Sequence, residues 1–236
     1  MNQYDGAPSF VTDLVFPERE GGYAKGHETR ELILRTALHI LIEEGYRAMS
    51  MRRVAAACDM KFGNLTYHFR SREDLVRELL DAVIRSYEQE FDTIVRMPGA
   101  PPEERLRRLC LLVLEDIRSK KTTRLFPELW ALSNHDEFVF DRVHELYVRA
   151  RAPAIEIIRE MRPDLPCEAC EMLALFISAS MEGMTVFAGY DKPFEPHMAK
   201  LESIALKSFI ALLKTVTAEE ALAMALDDGG VARAGA

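Results

Sequence analysis

Basic residues are concentrated in one short segment of the chain. Between Arg47 and Arg72 the sequence has six Arg or Lys residues and one acid, Asp59, so this segment carries a charge of +5. The whole chain has a formal net charge of -8, and the remainder therefore carries -13. A compact basic segment on an acidic body is typical of a phosphate-binding module joined to a larger regulatory domain. Taken alone, the charges are equally compatible with a solvated surface.

Three predicted helices around this segment follow the pattern of a helix-turn-helix. The first runs from an N-cap at Thr29 to a stop at Gly45, and the second runs from a cap at Ser50 to near Asp59. A third begins at Lys61, after so short a turn that it must cross the second steeply. Such a slim, exposed helix can enter the major groove of DNA while the preceding helix lies across the backbone.

The segment from residue 29 to residue 76 resembles the TetR family of bacterial regulators. The matching residues are Arg30, Ile33, Ala37, Gly45, Tyr46, Val54, Ala55, Gly63, Asn64, Leu65, Tyr67, His68, Phe69 and Leu75. The remainder of the chain matches only in its length and its all-helical pattern. The resemblance implies an N-terminal three-helix DNA-binding domain, followed by a helical bundle that binds a ligand and forms a dimer.

Ten residues in and around the third helix are assigned to DNA. Those at its start are assigned to base edges, where Gly63 permits close approach and Asn64 can pair with adenine. Tyr67 and His68 are assigned to phosphates, and residues at the starts of the neighbouring helices position the backbone. The predicted DNA-binding residues are Ser50, Arg52, Lys61, Phe62, Gly63, Asn64, Thr66, Tyr67, His68 and Arg72.

Three positions depart from the usual pattern of this family. Asp59 stands where a turn Gly is usual, and Asp tolerates the left-handed backbone conformation better than most residues. Lys61 replaces a capping Ser, but its ammonium group can reach phosphates or guanine. Thr66 replaces a Tyr and keeps a hydroxyl and a methyl, which can touch a phosphate or a thymine methyl. We expect the fold to be retained and the operator preference to differ.

The rest of the chain is predicted to be all-α. A helix begins at the cap Ser71 and ends near Met97, before a break rich in proline. Further helical patterns cover residues 103–118, 127–134, 136–161, 167–187 and 196–214. We predict a flexible arm at 1–26, a helix-turn-helix domain at 27–72, an effector-binding and dimerisation domain at 73–218, and a flexible tail at 219–236.

Small residues four apart on the helix at 167–187 would let a second helix approach closely. Together with the helix at 196–214 they are assigned to a homodimer interface, because a symmetric operator needs a two-fold partner. The predicted interface residues are Ala174, Ser178, Ala179 and Gly183. The same residues are also compatible with packing inside one chain.

A second group of apolar residues is assigned to an effector pocket, since Met and aromatic side chains adapt to hydrophobic ligands. These residues are Cys110, Phe126, Trp130, Phe138, Met172 and Phe176. Residues of this kind are more often simply part of the core, and helical spacing alone does not separate the two roles. The effector's chemistry therefore stays open.

Three hypotheses about the function of the chain remain open. The leading one is a repressor that leaves a palindromic operator when a small, lipophilic effector binds. The second is a ligand-independent DNA-binding protein that recruits a protein partner. The third is a thiol-based redox sensor or oxidoreductase using Cys167 and Cys170, at the start of a helix. We find no catalytic motif, metal-ligand spacing or cofactor motif that favours an enzyme.

The sequence favours the cytoplasm. Four cysteines without a recognisable secretion signal are typical of a reducing compartment. The most apolar stretch, Met172–Tyr190, contains Glu182 and two serines, so we interpret it as a buried helix of a soluble domain.

Overall fold

Helices account for all the regular structure in residues 14–16 and 24–225, the ranges that this computed structural model describes. The all-α prediction is confirmed. The α-helices are α1 (Ala24–Glu44), α2 (Met51–Ala57), α3 (Phe62–His68), α4 (Arg72–Val95), α5 (Pro102–Ile117), α6 (Lys120–Ser133), α7 (Glu137–Met161), α8 (Cys167–Ala188), α9 (Met198–Thr215) and α10 (Ala218–Ala225). A short 3₁₀ helix at Glu195–His197 precedes α9.

The ends of the first helices follow local sequence signals. Gly45 adopts φ +84° after α1, and Asp59 adopts φ +50° in the turn between α2 and α3. Both angles lie in the left-handed region, as the stop and turn predictions require. The Ser50 hydroxyl accepts a hydrogen bond from the Arg53 backbone N–H at 3.2 Å. Ser71 accepts one from the Asp74 backbone N–H at 3.0 Å, and the two serine caps are confirmed.

Two helices begin earlier than predicted. α1 starts at Ala24, so Thr29 lies inside the helix and is not its N-cap. α6 starts seven residues before Pro127, because Ser119 accepts from the Thr122 backbone N–H at 3.1 Å and caps it there. A proline inside a helix removes one donor, but here the helix continues on both sides of Pro127.

The tail prediction also needs correction. Residues 218–225 form α10, which packs against α8, and Ala221 is fully buried. Only residues 226–236 of the predicted tail lie outside the described residues, as do residues 1–13 and 17–23 of the predicted arm.

One compact unit contains α1–α3, α4 as far as Glu90, α6, and α7 as far as Ala150. In this unit α1 packs against both α2 and α6, and α2 packs against α3. Apolar side chains from these helices form its core, each at most 1% exposed: Ile33, Leu34, Leu41, Val54, Leu65, Phe69, Leu75 and Leu79. The unit therefore extends beyond the boundary predicted at residue 72, because α4 is continuous and α6 joins the N-terminal helices.

The second compact unit comprises residues 91–117 and the chain from Arg151 onward. Within it α8 packs against α5, α9 and α10. Its core includes Leu106, Leu114, Ile157, Ile158, Cys170 and Ile177. Arg105, only 7% exposed, is accommodated in this unit because it donates to the Val95 carbonyl at 2.8 Å and pairs with Glu160.

Candidate nucleic-acid interface

The helix α3 presents an exposed row of side chains on one side and two anchors on the other. Leu65 and Phe69 are at most 1% exposed and hold the helix against the unit's core. Tyr67 is 84% exposed and Phe62 is 47% exposed. Lys61, Gly63 and Asn64 are also exposed. The residues assigned to base edges therefore share one accessible end of the helix.

Arg30 fixes the C-terminal end of α3. Its guanidinium lies 4.1 Å from the centroid of the Phe69 ring, and its Nη1 donates to the His68 carbonyl at 2.5 Å. The same side chain forms a two-point ion pair with Glu78 of α4. A bidentate Arg–carboxylate pair fixes geometry as well as charge. One side chain of α1 thus sets the orientation of α3 against α4.

The start of α3 is open. Lys61 occupies the N-cap position and forms no side-chain capping bond, as predicted. A Cβ added to Gly63 would meet nothing within 4 Å. Intramolecular packing therefore does not require glycine at this position. The Arg52 guanidinium lies 5.8 Å from the Phe62 ring centroid, which places a cation beside the exposed start of the helix.

Tyr67, His68 and Thr66 form the later part of this surface. Tyr67 packs edge-to-face against His68, with 5.3 Å between ring centroids. Burial, together with the nearby Arg30 cation, lowers the pKa of His68, so its imidazole is neutral at pH 7. It can therefore offer a hydrogen bond to a phosphate but not a full charge. The Thr66 hydroxyl donates to the Gly63 carbonyl at 3.1 Å.

Some cations of the basic segment have partners within the chain, and others do not. Arg53 pairs with Glu44. Arg72 donates to the Tyr46 carbonyl at 2.6 Å and lies 4.0 Å from that ring's centroid. Arg72, predicted to contact DNA, therefore holds the turn after α1, because Tyr46 supplies both an acceptor and an aromatic face.

Two other arginines are available but were missed by the site prediction. Arg47 and Arg70 are exposed and form no ion pair or hydrogen bond with any residue in the described ranges. The charge count over this segment included them, and it was the only signal in the sequence that pointed to them. Together with Lys61 and Arg52 they leave four cations around α3 for an anionic partner.

The turn after α1 is also held by α6. Glu128 Oε2 accepts from the Tyr46 backbone N–H at 3.2 Å. Lys120 Nζ lies 2.7 Å from Glu43 and Arg124 Nη1 lies 3.6 Å from it. The Lys120 hydrogen bond lowers the pKa of the Glu43 carboxyl, followed by the charges of Lys120 and Arg124. A displacement of α6 would therefore act directly on the turn that precedes α2.

Residues predicted to line one effector pocket have different surroundings. Phe126 is 6% exposed and lies 6.3–6.4 Å, centroid to centroid, from the rings of Tyr87, Trp130 and Tyr147. Trp130 Nε1 donates to the Tyr147 hydroxyl at 2.9 Å. These four side chains form the aromatic cluster of the first unit. Phe138 is partly exposed, with the Arg77 guanidinium 5.2 Å from its ring centroid.

The other three pocket candidates belong to the second unit. Cys110 is buried, and burial raises the pKa of its thiol to about 12. Met172 and Phe176 are 47% and 55% exposed. The structure corrects the interior position predicted for these two residues, because their spacing places both on the outer face of α8.

That outer face of α8 is apolar and largely uncovered within the chain. Gly183 and Ala179, two of the predicted interface residues, are exposed on it, and Ser178 is partly exposed. Ala174 is 1% exposed, so it packs inside the chain and is not available to a partner. The large apolar side chains on this face, each at least 40% exposed, are Met172, Leu175, Phe176, Val186 and Phe187.

α8 is also long and apolar enough to span a membrane, by length and composition alone. The sequence prediction of a buried helix holds only for the face that packs against α5, α9 and α10. At its start, Cys167 is exposed but Cys170 is buried, and burial raises the pKa of the Cys170 thiol. A raised pKa disfavours the thiolate that redox chemistry needs.

Comparison with known proteins links both parts of the chain to transcriptional regulators. A family model described as "Bacterial regulatory proteins, tetR family" matches residues 33–79. A second, described as "BetI-type transcriptional repressor, C-terminal", matches residues 102–214. The families matched are regulators rather than enzymes, in agreement with the sequence prediction.

Individual relatives agree with these families. An HTH-type transcriptional regulator from the dhlA 5′ region of Xanthobacter autotrophicus is 30% identical over 56% of this chain and 66% of its own length. The HTH-type transcriptional repressor BepR of Brucella suis is 25% identical over 65% of each chain. Across the first relatives, the chain spans between 46% and 66% of their length.

A solved structure shows the same fold. It is a transcriptional regulator from Saccharomonospora viridis in complex with choline, which is 19% identical and superimposes with a TM-score of 0.62. The match covers 80% of this chain and 97% of that one.

Proposed function

This chain belongs to the tetR family of bacterial regulatory proteins, and from that premise we propose that it represses transcription as a homodimer on a palindromic operator in the cytoplasm. A small, lipophilic effector releases it from the DNA. The observation that carries the proposal is the exposed face of α3. There the side chains of Lys61, Asn64 and Tyr67 are exposed to solvent, beside cations that form no ion pair. That surface has the shape and charge of a major-groove reader.

The two ends of α3 have different tasks in this proposal. Lys61, Phe62, Gly63 and Asn64 read base edges, because they lie at the exposed N-terminal end. Tyr67, His68 and Thr66 contact the phosphate backbone, assisted by three cations: Arg47, Arg52 and Arg70.

The homodimer is proposed to form through the outer faces of α8 and α9. Five large apolar side chains lie exposed along α8, and Ile204 of α9 is 62% exposed. Exposed apolar patches of this kind mark interaction sites. Gly183 lies among them, with nothing within 4 Å of an added Cβ, so a second helix can approach its backbone closely.

The effector is proposed to act through α6. The aromatic cluster around Phe126 includes two α6 residues, Phe126 and Trp130, and the same helix carries Glu128, which holds the turn after α1. A ligand that binds one position of α6 better than another would shift the orientation of α2 and α3. The choline complex of the S. viridis protein supports a small molecule as effector.

The proposal is tested by operator selection and release. The full chain is used to select bound duplexes from a random pool, and the enriched sequence is footprinted. We expect a two-fold symmetric site, with the two half-sites about one helical turn apart or a multiple of it. Lipophilic compounds and organic cations are then screened for release of the labelled operator. An enriched asymmetric site protected by a single monomer would contradict the proposal, as would a bound effector whose affinity is unchanged by operator.

A further inference from the structure

A polar groove of about 570 Å³ lies within the first compact unit, between α1, the end of α3 and one face of α4. Its size falls within the range of small-molecule sites in proteins. Tyr67 and His68 form one end of it, and the α4 side chains from Asp74 to Arg85 line its length. The groove is separate from the aromatic cluster around Phe126 and from the base-reading end of α3.

Two of the three carboxylates in this groove are paired with a cation. Glu78 is bound at both oxygens by Arg30. Asp74 accepts from Arg77 Nη1 at 3.3 Å. The third acid, Asp81, has only a weaker charge interaction with Arg149 of α7, whose Nε and Nη2 both donate to Glu88. Asp81 is therefore a carboxylate of the groove without an ion pair.

Two arginines of the groove also lack an ion pair. The side chains of Arg70 and Arg85 form no hydrogen bond or ion pair with any residue that the structure describes. The Nε of Arg85 is moreover buried and has no acceptor. A desolvated guanidinium N–H without an acceptor is unfavourable, and a water molecule or a bound anion can supply the missing acceptor. Two unpaired arginines against the carboxylate of Asp81 leave the groove with a net positive charge.

We propose that this groove is a binding site for a free small anion of the phosphate class, with Arg85 as its principal ligand and Arg70 as the second. Planar guanidinium groups match phosphate oxygens geometrically. Binding of the anion does not depend on the proposed function. Its consequence does rest on it: an anion in this groove adds negative charge beside the DNA-contacting surface, because Tyr67 and His68 also line the groove, so anion and operator weaken each other's binding.

Inorganic pyrophosphate is the probe, because it carries oxyanions at both ends. Isothermal titration calorimetry uses the full chain without DNA, at constant ionic strength and without divalent cations. We expect saturable binding of one pyrophosphate per chain. Arg85→Gln should weaken it about tenfold or more, since it removes a hydrogen bond to a charged group. Arg85→Lys, which keeps the charge, should weaken it less.

Arg108→Gln is the matched control, because Arg108 is an exposed arginine of α5 paired with Glu104. It should leave pyrophosphate affinity within twofold. Urea unfolding checks the fold, and Arg85→Gln should be as stable as the wild type because Arg85 has no acceptor to lose. No saturable binding, or equal weakening in the Arg85 and Arg108 variants, would overturn the site.

A DNA arm separates the two sources of phosphate. Without pyrophosphate, Arg85→Gln should bind the selected operator as tightly as the wild type. With pyrophosphate, the wild type should lose operator affinity and the variant should not. If Arg85→Gln alone weakens operator binding, the groove holds the DNA backbone and the proposal of a free anion is wrong. Failure to find any operator would leave the calorimetric result unaffected.

Discussion

The backbone N–H of Tyr46 donates to Glu128 Oε2 at 3.2 Å, although the two residues are 82 positions apart. The bond attaches the turn after α1 to α6, and Arg72 of α4 holds the carbonyl of the same residue. A side chain of α6 therefore accepts from the backbone N–H of this turn, and a side chain of α4 donates to its carbonyl. Because α2 follows this turn directly, its position depends on both helices.

Glu128→Ala should lower the free energy of unfolding by about 1–3 kcal/mol, because a part-buried N–H loses a charged acceptor. Glu128→Gln keeps an acceptor oxygen and should lose less than half as much. Urea unfolding followed by circular dichroism measures both. Equal losses in the two variants would show that the hydrogen bond to Tyr46 is not what Glu128 contributes.

The turn at Asp59 stores backbone strain. Asp59 adopts φ +50°, a conformation that glycine reaches without cost. Asp59→Gly should therefore raise the unfolding free energy by about 0.5–1 kcal/mol, whereas Asp59→Ala should lower it by about 1 kcal/mol. Chemical denaturation separates the two outcomes. A loss of stability in the glycine variant would contradict the argument from φ.

A substitution at Gly63 distinguishes a role in DNA contact from a role in folding. An added Cβ meets nothing within 4 Å, and alanine is the better helix former, so Gly63→Ala should leave stability unchanged or raise it by up to about 1 kcal/mol. If the backbone at this position approaches base edges, the same variant should lose operator affinity by about tenfold or more. Unchanged affinity would remove Gly63 from the DNA contact.

The Glu43–Lys120 pair predicts a pH dependence of stability. The folded pKa of Glu43 lies below its ordinary value of 4.5, so the pair stabilises the fold above that pH and the contribution disappears as the pH falls through the folded pKa. Wild type and Glu43→Gln should differ by about 0.5 kcal/mol at pH 6 and converge in strong acid. Stability differences that grow below pH 4 would contradict this sign.

A charged side chain placed in the proposed dimer interface should dissociate the dimer. Phe176→Glu places a carboxylate in the outer apolar face of α8, where the side chain is 55% exposed in the single chain. Sedimentation should show that this variant is a monomer while the wild type is a dimer. Val148→Glu on α7 is the control, because Val148 is 49% exposed and lies outside the proposed interface. Dissociation of both variants would remove the specific role of α8.

Sequence reasoning succeeded where the partners are close along the chain. Ser50 and Ser71 each bond a backbone N–H three residues later, and the apolar spacing of Leu65 and Phe69 identified the buried side of α3. Capping and periodicity depend on such short separations. The helix-turn-helix and most of its exposed residues could therefore be predicted.

Sequence reasoning could not identify contacts between residues that are distant along the chain. Arg72 bonds Tyr46, 26 residues away, a contact that local spacing does not reveal, and its assignment to DNA stays a prediction. The tail was expected to be flexible, but Ala221 is buried where α10 packs on α8. Met172 and Phe176 show a third case, because helical spacing reveals an apolar face but not what covers it.

The most direct test of the account is the affinity of the selected operator for variants of the exposed face of α3. Fluorescence anisotropy compares wild type, Asn64→Ala and Lys61→Ala with Arg96→Ala, which removes an exposed arginine directly after α4 that is paired with Asp92. We predict at least about a tenfold loss for Asn64→Ala and Lys61→Ala, and a change within twofold for Arg96→Ala. Equal affinities for all four proteins, or no DNA binding by the wild type at low salt, would contradict the assignment of α3 to DNA.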